Sequence, residues 1–215
     1  MPEWPSDPIA REVTLVLVLA TAAILFHHYA FRGRVQQGRW AGLVVFGLPS
    51  LLIRPEAFAV PHAAWAAGFL GLVLVVLMPV VALAARSPRH REAYPEDRRP
   101  SWDRRGELAN AAGWAAYLVG YEAFFRGLLL LTLARAYGPW PALALMTAIY
   151  AAQHLPRPPG EGLGTLPMGF VFGLATLTSG SVWPAIVGHI VIAVTSDTVA
   201  IRGGRAAPSS PGGAG

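Results

Sequence analysis

Glu122 and Arg126 stand four residues apart inside the apolar run Trp114 to Tyr137, a setting in which a membrane-crossing helix carries charge only for a purpose. The i, i+4 spacing places carboxylate and guanidinium on one helical face, close enough to pair. His154, His189 and Asp197 lie in or at the ends of later apolar segments, with Tyr121, Tyr150, Thr195 and Ser196 as polar company. Such groups satisfy one another or face a water-filled cavity, which predicts that they gather on inward faces. A glutamate and two histidines from three helices support two chemistries. In one, Glu122 is a general base that takes a proton from water with the help of His154, and His189 donates a hydrogen bond to the oxyanion formed on a scissile carbonyl. In the other, the three side chains ligate Zn²⁺ and leave a fourth position for water. The HExxH pattern of many zinc proteases is absent, no cofactor is required, and zinc stays open. A structural ion pair at Glu122 and Arg126, and proton-coupled transport, are the non-hydrolytic readings of the same residues.

These residues need helices to carry them. Seven apolar segments can be drawn, at about 13–31, 41–53, 64–85, 108–137, 140–154, 163–178 and 182–201, each judged against the ~20 residues that cross a bilayer core. The second and fifth are short, so the expectation is an all-α, polytopic membrane bundle of six or seven spans. The first segment lacks a basic leader and a small-residue cleavage site, and reads as a retained span. His27 and His28, at its end, read as interfacial. His189 falls midway along the last segment. Asp197 lies two turns beyond it and about 80° round the helix, while Ser196, at i+7, shares its face more closely. Three regions result: N-terminal spans and a loop at 1–93, a helical core at 94–201, and a small, polar tail at 202–215 expected to be disordered.

The chain has 215 residues, 54% of them hydrophobic and 13% charged, with a mean hydropathy of +0.45. These values place it in the membrane class. All 17 basic residues are Arg, and they fall on alternate loops. Arg32, Arg34 and Arg39 follow the first segment, seven arginines from Arg86 to Arg105 follow the third, Arg157 follows the fifth, and Arg202 and Arg205 follow the last. Arg54, after the second, is offset by Glu56, and Arg135 is the exception. The alternation predicts a multi-pass protein with its C-terminus in the cytoplasm, and it explains the basic balance without nucleic acid as a partner. The Arg-only, Ala-, Gly- and Pro-rich composition points to a bacterial inner membrane. The loop at 86–106 reads as a solvated connector or as a substrate gate. With no Cys, disulfide and thiolate chemistry are excluded.

Taken in order, YEAFFRG, YAAQH and SVWPAIVGH resemble the three motifs of the CAAX-protease and bacteriocin-processing (CPBP) family of membrane proteins. Glu122 falls on the second acid of that family's EExxxR, Arg126 on its arginine and Gly127 on the following glycine. Tyr150 and His154 match the second motif, and His189 matches the histidine of the third. Tyr121 replaces the first acid, and Ala193 stands where the third motif has Asn or Asp. The chain is similar to a single-Glu branch with an aromatic-E-x-x-F-R-G first motif, a Pro-x-x-Glu element, here Pro158 to Glu161, and a late Asp, here Asp197. Tyr94-Pro95, before the fourth segment, fits that branch too. The resemblance implies an intramembrane glutamic endopeptidase with Glu122 as base, His154 as its partner and His189 at the oxyanion. Arg126 would orient or neutralise Glu122, and Asp197 would orient His189. The implied substrate is a membrane-anchored or C-terminally tailed protein, and a catalytically inactive scaffold is the alternative that Tyr121 and Ala193 raise.

Overall fold

Asp7 starts the first helix by accepting from the Ala10 N–H at 2.7 Å, with Pro8 in the first turn, where a missing N–H does no harm. In the computed structural model, which describes residues 5–155 and 159–205, this helix is α1 (Pro8–Ala30). It is followed by α2 (Val35–Ile53), a 3-10 turn at Pro55–Phe58, and α3 (Ala63–Ala84). Ser87 caps the short α4 (Pro88–Ala93) at 3.2 Å, and Asp103 caps the next helix through the Gly106 N–H at 2.7 Å. That helix, α5 (Arg104–Tyr137), is continuous, but its stretch Ala123–Leu130 is π-helical. Gly138, at φ +82°, turns the chain through a conformation open chiefly to glycine. α6 (Pro139–Ala152), α7 (Pro159–Ser179) and α8 (Trp183–Arg205) complete the fold. Arg157, Pro158 and the tail 206–215 lie outside the described residues, among which there is no strand.

The fold is therefore the expected all-α bundle, and α1, α3, α5, α7 and α8 are long and apolar enough to cross a membrane. The chain is a multi-pass membrane protein. The two remaining apolar segments fall short for different reasons. α6 has 14 residues, about 21 Å of helix against a ~30 Å hydrocarbon core. α2 spends its first turns on Gln36, Gln37 and Arg39. Leu15 and Val18 on α1, and Leu72, Val75 and Leu83 on α3, are exposed on the outside of the bundle, as suits a surface dissolved in lipid.

α5 is the central helix. Phe124, Phe125, Leu128, Leu129 and Leu130 from its π stretch join Phe46 of α2 and Leu143, Met146 and Tyr150 of α6 in the main core. The closest approach is between α2 and α5, where glycines face each other. A Cβ at Gly120 would run into the carbonyl oxygen of Gly42 and lie 2.8 Å from the Leu43 Cα. Small residues allow two backbones to touch in this way, and backbone has no rotamer with which to yield. Gly120→Ala is expected to destabilise the protein by about 1–3 kcal/mol, read as a lower melting temperature in detergent. Gly68→Ala, where the space is open, should leave it unchanged, and equal behaviour of the two would contradict the α2–α5 contact.

Charge separates the two ends of the bundle. At one end the loop between α3 and α5 is docked, through Asp97 to Gln36 at 2.9 Å, Glu96 to Arg39 at 3.5 Å, and Arg91 to the Gly203 carbonyl at 3.4 Å. It is not the solvated connector that its composition suggested, because these polar contacts hold it against α2 and α8. At the other end, buried Arg54 reaches Glu12, Glu56 and Thr132, and Arg135 lies 3.5 Å from Glu12. The one arginine that broke the loop alternation is thus paired with an acid from the N-terminal helix.

Candidate active site

Glu122 is the last residue of α5 before its backbone widens into the π stretch, a departure from regular helix that recurs at functional sites. Its side chain is fully buried. Oε1 lies 2.5 Å from His189 Nδ1 on α8. Arg126 Nη1 is 3.2 Å from the same oxygen in hydrogen-bond geometry and 3.0 Å from Oε2 as an ion pair. The Arg126 guanidinium lies over the Tyr150 ring, 4.1 Å from its centroid, as a cation placed on an aromatic face. The Tyr150 ring is in turn 5.0 Å from that of His154. The first motif therefore touches the third directly, and the second through Tyr150.

A cavity of about 1040 Å³ opens beside these residues. His154 and His189 both line it, with Tyr121, Met168 and Phe172, and so do Ile24, Phe46, Leu77 and Val81. The N-terminal helices thus build the cavity along with the later core. Glu122 reaches it through His189. A carboxylate cannot donate, so His189 Nδ1 carries the proton of the 2.5 Å contact, which in the singly protonated ring leaves Nε2 as the acceptor. His154 is fixed in the same sense, with Nδ1 donating to the Tyr150 carbonyl at 3.1 Å. Among the described residues, no group of three His, Asp or Glu side chains is placed to share one metal ion.

Asp197 departs from its expected role. It does not orient His189. It is buried on α8, accepts from Asn110 Nδ2 at 2.9 Å and Trp114 Nε1 at 2.7 Å, and lies 3.7 Å from Arg39 Nη2. Two helical turns and the offset around α8 carry it away from Glu122, so it joins α8 to α5 and α2. Sequence reasoning missed its partners. The available signal was Asn110, Trp114, Tyr117 and Tyr121, spaced four, three and four along α5 and hence on one face.

The docked loop adds His90, Tyr94 and Glu96 to the cavity wall, and Glu161 of α7 lines it too. His90 Nε2 meets Ser196 Oγ at 2.9 Å, and burial holds this imidazole below its ordinary value against the opposing charges of Asp197 and Glu161. Burial would push the Asp97 carboxyl up, but hydrogen bonds from Gln36 and Arg99 outweigh it and leave Asp97 below the usual carboxylate range. A lowered folded value means that this anchoring is complete at neutral pH and fades as pH falls through it.

With this geometry in view, residues 111–195 match the family described as Rce1-like, type II CAAX prenyl endopeptidase. This segment is an Rce1-like domain. The family is one of proteases, and the match covers less than half of the chain. It contains Glu122, Arg126, His154 and His189 and stops short of Asp197. No curated protein and no solved structure matches the chain. The Rce1-like domain thus runs from the first turns of α5 into α8, and it holds every side chain of the Glu122 cluster.

Proposed function

We propose that the protein is an intramembrane endopeptidase of the single-Glu kind, in which His189 rather than Glu122 activates water. The observation that carries this reading is the 2.5 Å contact between Glu122 and His189, with His189 on the cavity wall and Glu122 fully buried. The carboxylate fixes the tautomer and orientation of the ring, and Nε2 takes the proton as a water oxygen attacks the scissile carbonyl carbon. The imidazolium so formed is stabilised by Glu122 and returns the proton to the leaving amine as the C–N bond breaks. Arg126 pairs with the carboxylate from outside the cavity wall, and His154 stands on that wall beside Tyr150. Asp197 acts on packing alone.

Catalysis is placed in the 94–201 core, in a bacterial inner membrane with the Arg-rich end in the cytoplasm, where the docked loop rims the cavity. The substrates are membrane-anchored or C-terminally tailed proteins whose cleaved bond lies near that surface. Ala193 on the cavity wall, where related motifs have a polar residue, favours the competing reading of an inactive scaffold. Terminal-peptide proteomics of membranes from a deletion strain separates the two. Wild-type protein is expected to restore a set of cleaved termini that His189→Gln, present in the membrane at equal level, does not. Identical terminal profiles for the two would sink the peptidase reading.

A further inference from the structure

His189, Ile192, Ala193 and Ser196 all line the cavity, and their spacing along α8 puts them on one face. Ser196 ends this stripe about 10 Å from His189, at 1.5 Å per residue. There it meets the segment between α3 and α5, whose His90 Nε2 lies 2.9 Å from the Ser196 hydroxyl. An extended peptide gains about 3.3 Å per residue. A chain laid along the stripe with its scissile bond at His189 therefore reaches His90 about three residues later.

The segment that stands in its way is lightly held. It is tied at one end to α3 and at the other to the Asp103 cap of α5. Between Arg86 and Arg105, Pro95 alone is buried. Asp97 on Gln36, Glu96 on Arg39, Arg91 on the Gly203 carbonyl and His90 on Ser196 fasten the rest. Polar contacts of this kind are exchanged for water at small net cost, and regions with few buried apolar contacts open before the rest of a fold. The His90 and Tyr94 rings stack at 4.6 Å and 14° and both line the cavity, so α4 and its C-terminal turn can move as one plate. The irregular chain from Tyr94 to Asp103 supplies the slack.

We propose that residues 86–103 form an entry gate, a strap that swings off α2 and α8 to admit the polar tail of a substrate from the aqueous side. Lids that cover a site in this way commonly govern access to it. The motion stands on the contacts that hold the strap, and its role in substrate entry rests on the peptidase reading.

Two measurements test the gate, both on the full chain in phospholipid nanodiscs. The chain has no cysteine, so Ala193→Cys puts a single thiol on the stripe between His189 and Ser196. Its rate of modification by a permanently charged methanethiosulfonate, which arrives from water, reads how often the strap is open. Gln36→Ala removes the partner of Asp97 and is expected to raise that rate about two- to tenfold, the Boltzmann factor of one net hydrogen bond. A rate that Gln36→Ala leaves unchanged overturns the proposal. So does a thiol that reacts as fast as free cysteine with the strap unaltered. The second measurement locks the strap outside the cavity, by bridging Gln36→Cys to Asp97→Cys with a short, reducible bifunctional thiol reagent. Cleavage of single-span membrane peptides with polar C-terminal tails, followed by mass spectrometry, is expected to fall at least about tenfold in the bridged protein and to return on reduction. Undiminished cleavage by bridged protein overturns the gate and leaves the peptidase reading standing. Wild-type protein that cuts no peptide overturns the peptidase reading and with it the role in substrate entry, while the thiol rates still decide whether the strap moves.

Discussion

Glu122→Gln is expected to lower kcat by about 10⁴-fold, the scale seen when the acid that orients a catalytic histidine is replaced by its amide. The substitution keeps the shape of the side chain and changes what it says to His189. A glutamine at this position presents its carbonyl to Arg126, so its NH₂ faces His189 Nδ1 across the 2.5 Å contact. The imidazole must then accept at Nδ1 and carry its proton on Nε2, toward the cavity, where it can no longer take one from water. His189→Gln removes the base itself and should match the loss. Adding the two together should cost little beyond either alone, because residues acting as a unit are not additive. The measurement is kcat on one cleaved peptide for wild type, both single variants and the double. If Glu122→Gln retains more than a tenth of wild-type kcat, the carboxylate is not setting the tautomer and the mechanism is wrong.

Much of this arrangement was legible because the bilayer is a severe solvent. A charge in an apolar run is expensive, so Glu122, Arg126 and His189 stood out against their surroundings, and the i, i+4 spacing already implied the ion pair that the fold displays at 3.0 Å. Partner choice was not legible. Which carboxylate meets His189 depends on the crossing of α5 and α8, and a single sequence holds no record of a contact 67 positions apart. Asp197 was drawn toward His189 by sharing its helix, whereas the polar face of α5 offered it Asn110 and Trp114. The docking of the 86–106 loop was hidden because charged, Pro-rich segments read alike whether they are solvated or pinned by Asp97 and Glu96. The π stretch leaves no trace that a 3.6-residue period would reveal, since Ala123–Leu130 is apolar nearly all round and Arg126 alone marks its inward side.

The second large effect is on stability. Arg126→Ala removes the arginine paired with a carboxylate that has no exposure at all, and it also empties the space over Tyr150. Breaking a buried pair on one side costs about 3–5 kcal/mol, because the remaining charge stays desolvated and uncompensated. At roughly 2–4 °C per kcal/mol for a chain of this length, the melting temperature should fall by about 6–20 °C. The contrast that makes this diagnostic is the paired replacement Arg126→Met with Glu122→Gln. It removes both charges, keeps an unbranched apolar side chain against the Tyr150 ring, and should recover most of the lost stability. It should recover no activity, since His189 still faces an amide. Thermal unfolding of the wild type, the single variant and the pair in one detergent checks the first part, and peptide cleavage checks the second. A single variant as stable as wild type would mean that the ion pair is solvated in the membrane protein, and that the cavity reaches Glu122 directly. In that case the carboxylate itself, and not the imidazole, would be the group that meets water.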